Sequence, residues 1–348
     1  MKVNFICPGL GDSGGIKVVE KYAELLNERG VDTIIYSSIR SSNVHRYQSS
    51  LKNALHQVYC TAKAIPEIKR KPNRRWVWKI SDRYIRAADA TIATAWPSAY
   101  EVNALRPECG RKLYFIQDYE VWDNDEWGKA SYRLPLDHIV IAKWIDQVLT
   151  EQLGCKPAKI VHNGIDTDFF KPAKAEKRHD DIRCLMLYHP LEKKGVKDGV
   201  RAFEMAKKRN TKLSLEMFGM YDKPDIACLN RYYQNPSRDL LRKLYQQADI
   251  YIFPSLAEGW GLTPLEAMAC GCPVAGTNVG CMSELGQDGG NVLLSEPGDI
   301  NKLASNILLL ANDPKLRNKI AECGRRTVLQ LSWDKSADRL MHYLLVSE

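Results

Sequence analysis

The sequence predicts an α/β fold of two Rossmann-like domains, each built on a parallel sheet. The chain has 348 residues, more than one hydrophobic core usually serves, so two domains are expected. Short runs of β-branched and aromatic residues, such as residues 248–253, are typical of buried strands in parallel sheets. Turns lead from such runs into amphipathic helices in both halves of the chain, which favours a repeated strand–turn–helix unit.

Composition and cysteine usage indicate the compartment. Hydrophobic residues make up 45% of the chain, but no uncharged apolar run reaches the roughly 18 residues that a membrane-spanning helix needs. Residues 1–7 are interpreted as a first strand rather than a signal peptide, because they lead directly into a glycine-rich turn. The ten cysteines form no Cys-x-x-Cys pair, and Cys270 and Cys272 stand too close for a usual zinc site. We therefore expect a cytoplasmic protein with reduced thiols and no metal.

The N-terminal half opens with a strand at residues 2–7, a glycine-rich turn at 8–15 and a helix that runs up to Gly30. The pattern Gly9-x-Gly11-x-x-Gly14 also occurs in dinucleotide oxidoreductases. That interpretation is weak, because no acidic residue closes the next strand, residues 31–36. A tight turn with only a structural role is the alternative.

The segment 63–86 is rich in basic and aromatic residues. Of the net charge of +8, +6 falls in residues 1–165, which contain 24 Lys and Arg against 18 Asp and Glu. Two interpretations are open: the segment rests on an anionic membrane surface, or it is a solvated helix whose aromatic face packs on its own domain. Nucleic acid is a poorer partner, because no nucleic-acid-binding motif accompanies the charge. The basic residues are Lys63, Lys69, Arg70, Lys71, Arg74, Arg75, Lys79, Arg83 and Arg86, interleaved with Trp76, Trp78, Ile80 and Tyr84.

Two more strands of this half, residues 90–95 and 112–116, end in polar or aromatic residues. Ligands of open α/β sheets collect at the carboxyl ends of strands, so Asp118, just after the second of these strands, is a candidate for ligand contact. Residues 123–132 are polar and aromatic and are predicted to be a loop, and residues 40–50 to be another. A charged segment at 173–181 predicts a hinge between the two domains.

The second half repeats the strand pattern. Strands are predicted at residues 184–188, 212–218, 231–236 and 272–276, with a helix at 237–247. The first strand leads through His189 to Lys193 and Lys194 before a helix begins. A solvated lysine pair is the structural alternative for these two residues. The second strand ends at Gly219, and Tyr233 lies in the third.

The stretch 254–273 carries the strongest pattern, because it joins the strand 248–253 to a short helix through a glycine-rich turn. Gly259 and Gly261 let backbone approach a ligand closely, and free N–H groups at a helix start favour an anion or hydroxyls. Seven residues separate Glu258 from Glu266, so both carboxylates can face the mouth of one strand. The alternatives are an ordinary solvated loop acid for Glu258 and a helix cap for Glu266.

The helix after this turn is predicted from its end signals. Thr263 stands three residues before Glu266, which fits a capping box, with Pro264 in the first helical position. Gly271 is expected to close the helix.

The segment that begins at Glu258 reads Glu-Gly-x-Gly-Leu-x-x-x-Glu-Ala-Met-Ala-x-Gly-x-Pro-Val. It closely resembles the signature of retaining GT-B glycosyltransferases of family 4. The resemblance covers nearly the whole chain and implies a GT-B fold, in which two Rossmann-like domains have parallel sheets facing a central cleft. It implies that Glu266 binds the nucleotide ribose and that Glu258 contacts the donor sugar. The turn residues of the donor site are then Gly259, Trp260, Gly261 and Leu262.

The phosphate contacts implied by the resemblance match the family unevenly. Gly14-Gly15 looks like the glycine pair that lies against the donor diphosphate, and Lys194 matches the family's phosphate-gripping lysine. His189 stands where the family has arginine, so the phosphate clamp is weaker or uses Lys193.

Four other residues concern the reacting sugar and the nucleobase. Gln117 stands where many relatives have histidine, which leaves Asp118 as the candidate for contacting the sugar or the acceptor. In relatives the nucleobase lies against the loops after the strands that here carry Gly219 and Tyr233. The residues expected to take part in catalysis are therefore Glu258, Asp118 and Lys194.

The function implied is a retaining, metal-independent transfer of a hexose or deoxyhexose from a nucleotide sugar to a glycan or lipid-linked acceptor in cell-surface polysaccharide synthesis. No cofactor is implied; the nucleotide sugar is a substrate, with UDP-sugars favoured over dTDP- or GDP-sugars. The alternatives are another GT-B enzyme, either a nucleotide-sugar epimerase or a glycogen-synthase-like enzyme, and an inert binding subunit.

The expected domains are an acceptor-side domain at 1–165, a nucleotide-sugar-binding domain at 166–331 and a helix at 332–348 that crosses back to the first domain. The expected location is the cytoplasm or the inner face of the plasma membrane.

Overall fold

The computed structural model describes residues 1–8, 14–39, 55, 58–59, 73–122, 124–173 and 180–346. The predicted loop at 40–50, the turn residues 9–13 and the basic residues of 63–72 lie outside the described residues. The described chain divides into two compact units: unit 1 is residues 1–162 with 336–348, and unit 2 is residues 163–335. Each unit has helices packed on a parallel sheet, so the predicted α/β fold is confirmed.

Unit 1 contains a seven-stranded parallel sheet within the described residues. Its strands are β1 (Lys2–Cys7), β2 (Asp32–Ser38), β3 (Arg74–Val77), β4 (Ala90–Ala93), β5 (Arg111–Ile116), β6 (Asp137–Val140) and β7 (Lys159–Ile160), in the order β3-β2-β1-β4-β5-β6-β7. Its helices are α1 (Gly14–Glu28), α2 (Trp96–Asn103), α3 (Asp125–Ser131) and α4 (Lys143–Gln147). The strand β1 is apolar almost throughout because it has a neighbour on each side and is covered on its faces; Val3, Phe5 and Ile6 are fully buried.

Unit 2 contains a six-stranded parallel sheet. Its strands are β8 (Ile182–Leu187), β9 (Leu213–Gly219), β10 (Leu229–Gln234), β11 (Ile250–Phe253), β12 (Val274–Thr277) and β13 (Leu293–Ser295), in the order β10-β9-β8-β11-β12-β13. Its helices are α5 (Val196–Arg209), α6 (Arg238–Gln247), α7 (Leu262–Ala269), α8 (Cys281–Leu285), α9 (Ile300–Asn312) and α10 (Pro314–Val328). Met186, Phe203 and Ile252 lie in its buried core.

The strand order of both sheets reverses at one point. In unit 1 the chain builds outward from β1 to β3 and then returns to add β4 on the other side of β1. In unit 2 it does the same between β8 and β11. The loops that leave the carboxyl ends of such adjacent strands diverge to opposite faces of the sheet, and the crevice between them is where ligands of open α/β sheets bind.

The last helix, α11 (Trp333–Leu345), begins in unit 2 and continues in unit 1. Ile165 donates its backbone N–H to the carbonyl of Leu331 at 2.7 Å, so the two chain passages near the unit boundary lie side by side. In unit 1, Asp338 forms an ion pair with Arg29 at 2.7 Å. Within the described residues, no helix is both long enough and apolar enough to span a bilayer.

The basic segment is not a helix where it is described from Arg74 to Val77, so that part of the helical interpretation is wrong. These residues form the edge strand β3 because β2 offers an open edge to pair with. Arg74 is buried; its guanidinium lies 3.2 Å from Glu20 and donates to Ser37 Oγ at 3.3 Å. Arg75, Lys79 and Arg83 remain exposed.

The ion pair between Arg74 and Glu20 gives a stability prediction. The side chain of Arg74 is only 6% exposed, so Arg74→Ala leaves the Glu20 carboxylate without its cation in a poorly hydrated place. We expect the free energy of unfolding to fall by about 3 kcal/mol. The neighbouring exposed arginine is the control: Arg75→Ala should change it by less than about 0.5 kcal/mol. Equal losses from both variants in urea denaturation would contradict the assignment.

Candidate functional site

The candidate site lies where the strand order of unit 2 reverses, between the loops that follow β8 and β11. Lys194 ends a short 3₁₀ turn after β8, and Glu258 lies in the loop after β11. Lys194 Nζ donates to Glu258 Oε1 at 2.7 Å and to Oε2 at 2.8 Å. The two side chains are 20% and 10% exposed. Two residues that the sequence places 64 positions apart thus form a bidentate, largely buried ion pair.

The two loops are held together by their backbones. The Lys193 carbonyl accepts hydrogen bonds from the N–H groups of Leu256 at 2.8 Å and Ala257 at 3.2 Å. Gly195 has a φ of +61°, and a Cβ there would lie 1.9 Å from the Pro254 carbonyl oxygen. Only glycine permits this approach, and it fixes Lys194 beside the end of β11.

A serine that sequence reasoning missed orients the carboxylate. Ser255 Oγ donates to Glu258 Oε1 at 2.9 Å, and the carbonyl of Ser255 accepts a hydrogen bond from Thr277 Oγ1 at 2.6 Å. The signal in the sequence was a hydroxyl residue at a strand end, three positions before the glutamate.

The opposite side of the loop rests on the start of α8. The backbone N–H of Cys281 donates to the carbonyl of Trp260 at 2.6 Å. A Cβ on Gly280 would lie 2.4 Å from that carbonyl oxygen and 2.9 Å from Cβ of Glu258. Gly259 and Trp260 are buried in this packing. The loop that carries Glu258 is therefore confined on both sides.

The predicted capping box at Thr263 is wrong. Gly261, with a φ of +93°, is the N-cap, and helix α7 begins at Leu262 without a side-chain cap. The left-handed backbone of this glycine turns the chain into the helix two residues earlier than predicted. Pro264 consequently occupies the third helical position. Gly271, with a φ of +76°, follows the helix, as the sequence predicted.

Glu266 therefore faces the interior of unit 2 rather than the helix start. Its Oε2 accepts a hydrogen bond of 3.0 Å from the hydroxyl of Tyr245 on α6. Burial raises the pKa of the Glu266 carboxyl to about 7, against the opposing effects of the Tyr245 hydrogen bond and the charge of Arg238. Near neutral pH this group is accordingly poised between its charged and neutral forms.

His189, which the resemblance places at an arginine position, accepts a hydrogen bond on its ring and has a lowered pKa, so the ring is neutral near pH 7. Its Nδ1 accepts a hydrogen bond from the backbone N–H of Leu191 at 3.1 Å, which in the neutral ring leaves the proton on Nε2. Nε2 lies 3.3 Å from the hydroxyl of Tyr221. Burial, followed by the charge of Lys194, lowers the pKa of His189. The ring thus offers a neutral N–H donor where a guanidinium would offer a charge.

The loops after β9 and β10 converge around Gly219. A Cβ on Gly219 would lie 2.4 Å from the carbonyl oxygen of Tyr188 and 3.0 Å from the hydroxyl of Tyr232. Asn235, with a φ of +45°, donates its N–H to the carbonyl of Gly219 at 2.6 Å. The hydroxyl of Tyr233 lies instead against Glu216, at 3.2 Å. The hydroxyl of Tyr232 therefore lies beside Gly219 at the end of β9, whereas that of the predicted site residue Tyr233 lies beside Glu216.

The predicted residues of unit 1 form a separate group at the ends of its own strands. Gly14 and Gly15 open helix α1, and a Cβ on Gly15 would lie 3.4 Å from Nε2 of Gln117. Asp118 Oδ1 accepts the backbone N–H of Tyr119 at 2.9 Å, which folds the carboxylate back on its own loop. No cluster of three or more His, Cys, Asp or Glu side chains suited to a metal ion occurs in the described part of the chain.

Residues 168–327 match the family of glycosyl transferases group 1. The family resemblance is confirmed for this part of the chain, which is 46% of its length. This group 1 region contains the Lys194–Glu258 pair, Glu266, His189 and the loops around Gly219.

Two curated relatives illustrate the similarity. A D-inositol 3-phosphate glycosyltransferase of Thermomonospora curvata is 33% identical over 116 residues, which cover 33% of this chain and 27% of that protein. A capsular polysaccharide biosynthesis glycosyltransferase of Staphylococcus aureus is 29% identical over 175 residues, 45% of each chain. The chain thus spans between about a quarter and a half of the length of the curated relatives it matches.

Solved structures match over the whole chain at low identity. Sucrose-phosphate synthase from Thermosynechococcus elongatus superposes with a TM-score of 0.74 at 18% identity, over 99% of this chain and 98% of that one. The Anabaena protein HepE in complex with UDP and glucose superposes with a TM-score of 0.67 at 14% identity, over 99% of both chains. These similarities establish the GT-B fold.

The contact between Gly195 and Pro254 gives a prediction with a matched control. Gly195→Ala and Gly298→Ala both place a side chain at a positive φ, but only the first meets backbone, since nothing lies within 4 Å of a Cβ on Gly298. We expect Gly298→Ala to cost about 1 kcal/mol of unfolding free energy. Gly195→Ala should cost roughly 1–3 kcal/mol more, because the loops must separate. Similar melting temperatures for the two variants would contradict this packing.

Proposed function

We propose that the chain is a retaining, metal-independent glycosyltransferase that moves a hexose or deoxyhexose from a nucleotide sugar to a glycan or lipid-linked acceptor in cell-surface polysaccharide synthesis. The observation that carries the proposal is the Lys194–Glu258 ion pair at the sheet's reversal point, within the group 1 region. The capsular polysaccharide enzyme among the relatives supports the polysaccharide role.

The donor is proposed to be a UDP-sugar, ahead of dTDP- and GDP-sugars. The structural relative HepE binds UDP and glucose, which supports this order. The carboxylate of Glu266 would accept hydrogen bonds from the ribose hydroxyls, since an ionised carboxylate is an acceptor for donors of this kind. The loops around Gly219 would border the base.

Transfer breaks the bond between the anomeric carbon and the diphosphate oxygen and forms a bond from the same carbon to the acceptor oxygen, with the same anomeric configuration. The acceptor hydroxyl would release its proton to an oxygen of the leaving diphosphate. Negative charge then develops on the leaving diphosphate. The ammonium of Lys194 would stabilise it, and the amide groups of Gly14 and Gly15 are proposed to contribute as well. Glu258 would exchange part of its contact with Lys194 for a hydroxyl of the donor sugar.

The acceptor is proposed to meet the loop after β5. Trp122, in this loop, and Trp127, on the following helix α3, are 40% and 50% exposed, and the ring of Trp96 lies 5.5 Å from that of Trp122. Exposed aromatic surface beside carboxylates is typical of sites that take polar ligands with an apolar face. Asp118, on the same loop, is the candidate for contact with the acceptor or the reacting sugar.

A donor assay with two glutamate variants tests the proposal. UDP-, dTDP- and GDP-sugars are screened by thermal shift and turnover, since a bound ligand raises apparent stability. Glu266→Gln should weaken nucleotide binding by about 1.5–3 kcal/mol, because a charge-assisted hydrogen bond is lost. Glu258→Gln should lower turnover of the intact donor but should not weaken the affinity for free nucleotide, because it removes the carboxylate that competes for Lys194.

The outcomes separate the alternatives. Loss of free-nucleotide affinity in both variants would contradict the division of roles between the two glutamates. Nucleotide release that does not depend on a sugar acceptor would favour an epimerase. Binding without any turnover would favour an inert binding subunit, and no binding of any nucleotide sugar would overturn the proposal.

We also propose that an anionic membrane surface holds the enzyme near a lipid-linked acceptor. Arg75, Lys79 and Arg83 are exposed around Trp78, whose indole is 56% exposed. Basic side chains near anionic lipid contribute about 1 kcal/mol each, and tryptophan favours the headgroup region. Arg74 is excluded from this role by its buried pair with Glu20.

Vesicle binding tests the membrane proposal. Binding to vesicles with anionic lipid should fall steeply with salt, because the Debye length decreases from about 10 Å at 0.1 M to about 3 Å at 1 M. Changing Arg75, Lys79 and Arg83 to Gln should reduce binding strongly. The control changes three exposed basic residues of unit 2, Lys208, Arg209 and Lys212, and should have little effect. Equal effects of the two triple variants, or no binding at low salt, would overturn the proposal.

A further inference from the structure

Tyr245, on helix α6, is fully buried, and its hydroxyl contacts Glu266. The O–H donates to Glu266 Oε2 at 3.0 Å. The ring is enclosed by three aromatic neighbours in edge-on contact: Phe170 at 6.0 Å, Phe218 at 5.8 Å and Tyr251 at 5.7 Å between centroids. Such packing leaves the ring little freedom, so the hydroxyl has a fixed position.

A fixed donor on one carboxylate oxygen also fixes the plane of the carboxylate. We propose that Tyr245 is a positioning residue, which orients the carboxylate of Glu266 and favours its ionised form, so that its remaining lone pairs accept the two hydroxyls of a ribose diol. The proposal rests on the proposed function, because it concerns the same nucleotide site. A carboxylate without this donor could rotate and would protonate more readily.

The groups that face Glu266 are consistent with this role. Tyr245 and Arg238 approach from α6, and both lower the pKa of the carboxyl, which burial raises to about 7. Tyr251, from β11, and Cys270, at the end of α7, have pKa values raised by burial and are neutral near pH 7. Tyr245 therefore supplies the hydrogen bond that favours the carboxylate over the acid.

The test is the pH dependence of nucleotide-sugar binding in Tyr245→Phe, which keeps the ring and removes the donor. In the unmodified protein, affinity for UDP-glucose should fall as the pH drops through about 7, because protonated Glu266 loses acceptor capacity. In Tyr245→Phe the affinity for UDP-glucose should fall in the same way, but at a higher pH. A shift of one pKa unit makes the variant's affinity roughly fivefold weaker at pH 7 and roughly tenfold weaker at pH 5, with almost no deficit at pH 9. UDP-glucose is suitable because its diphosphate is esterified at both ends and does not titrate in this range.

A second measurement is independent of binding. The ¹³C resonance of the Glu266 carboxyl, assigned with Glu266→Gln, reports its titration directly; Tyr245→Phe should raise the midpoint. The control is Tyr251→Phe, which removes the hydroxyl of a ring adjacent to Tyr245 and should leave the midpoint unchanged. Replacing Tyr245 with 3-fluorotyrosine, whose hydroxyl is a stronger hydrogen-bond donor, should move the titration midpoint of Glu266 to lower pH. This substitution tests the proposal even if the phenylalanine variant does not fold.

These outcomes distinguish the two proposals. If no UDP-, dTDP- or GDP-sugar binds the unmodified protein, the proposed function fails, while the carboxyl titration still reports on Tyr245. If nucleotide sugar binds and Tyr245→Phe weakens it equally at every pH, with no change in the titration midpoint, Tyr245 has only a packing role and the inference is overturned.

Discussion

The ion pair between Lys194 and Glu258 is the interaction on which the site in unit 2 depends. Two opposite charges with side chains 20% and 10% exposed are stable only while they are paired with each other or with a ligand, since an isolated charge in such a place is costly. The surrounding packing serves this requirement. Gly195 brings the lysine close, the carbonyl of Lys193 joins the two loops, and Ser255 fixes one oxygen of the glutamate.

Topology explains why the pair forms at this place. The strands β8 and β11 are neighbours in the sheet although two strands and two helices separate them along the chain. Their following loops leave the same edge of the sheet and diverge, so charged side chains on them meet across a crevice. The helix α7 continues directly from the second loop and carries Glu266 on the side that faces α6. One reversal of strand order thus places Lys194, Glu258 and Glu266 on the segments that follow two neighbouring strands.

How much of this was predictable depends on the range of the interactions involved. The strands, the glycine turns and the two glutamates follow from local patterns, and the repetition of these patterns gives the two-unit fold. Pairings across the chain do not follow: Lys194 with Glu258, Tyr245 with Glu266, and Arg74 with Glu20 join residues whose proximity only the sheet order decides. Two errors have different origins, one long-range and one local. Residues 74–77 pair with the open edge of β2 and form a strand instead of a helix. Helix α7 begins at Leu262, before the predicted N-cap Thr263, because Gly261 has a positive φ.

His189, the residue beside the lysine pair, affects the charge balance of the site. The ring accepts a backbone N–H on Nδ1 and is neutral near pH 7, so it does not add a cation to that of Lys194. The charge of Lys194 is in turn balanced by Glu258 until a ligand separates them. Under the proposed function, an arriving diphosphate would have to compete with a carboxylate for the ammonium group. A donor whose sugar offers Glu258 a hydroxyl would replace the contact that the glutamate loses, and free nucleotide would not. The pair would then favour an intact donor over the free nucleotide that transfer leaves behind.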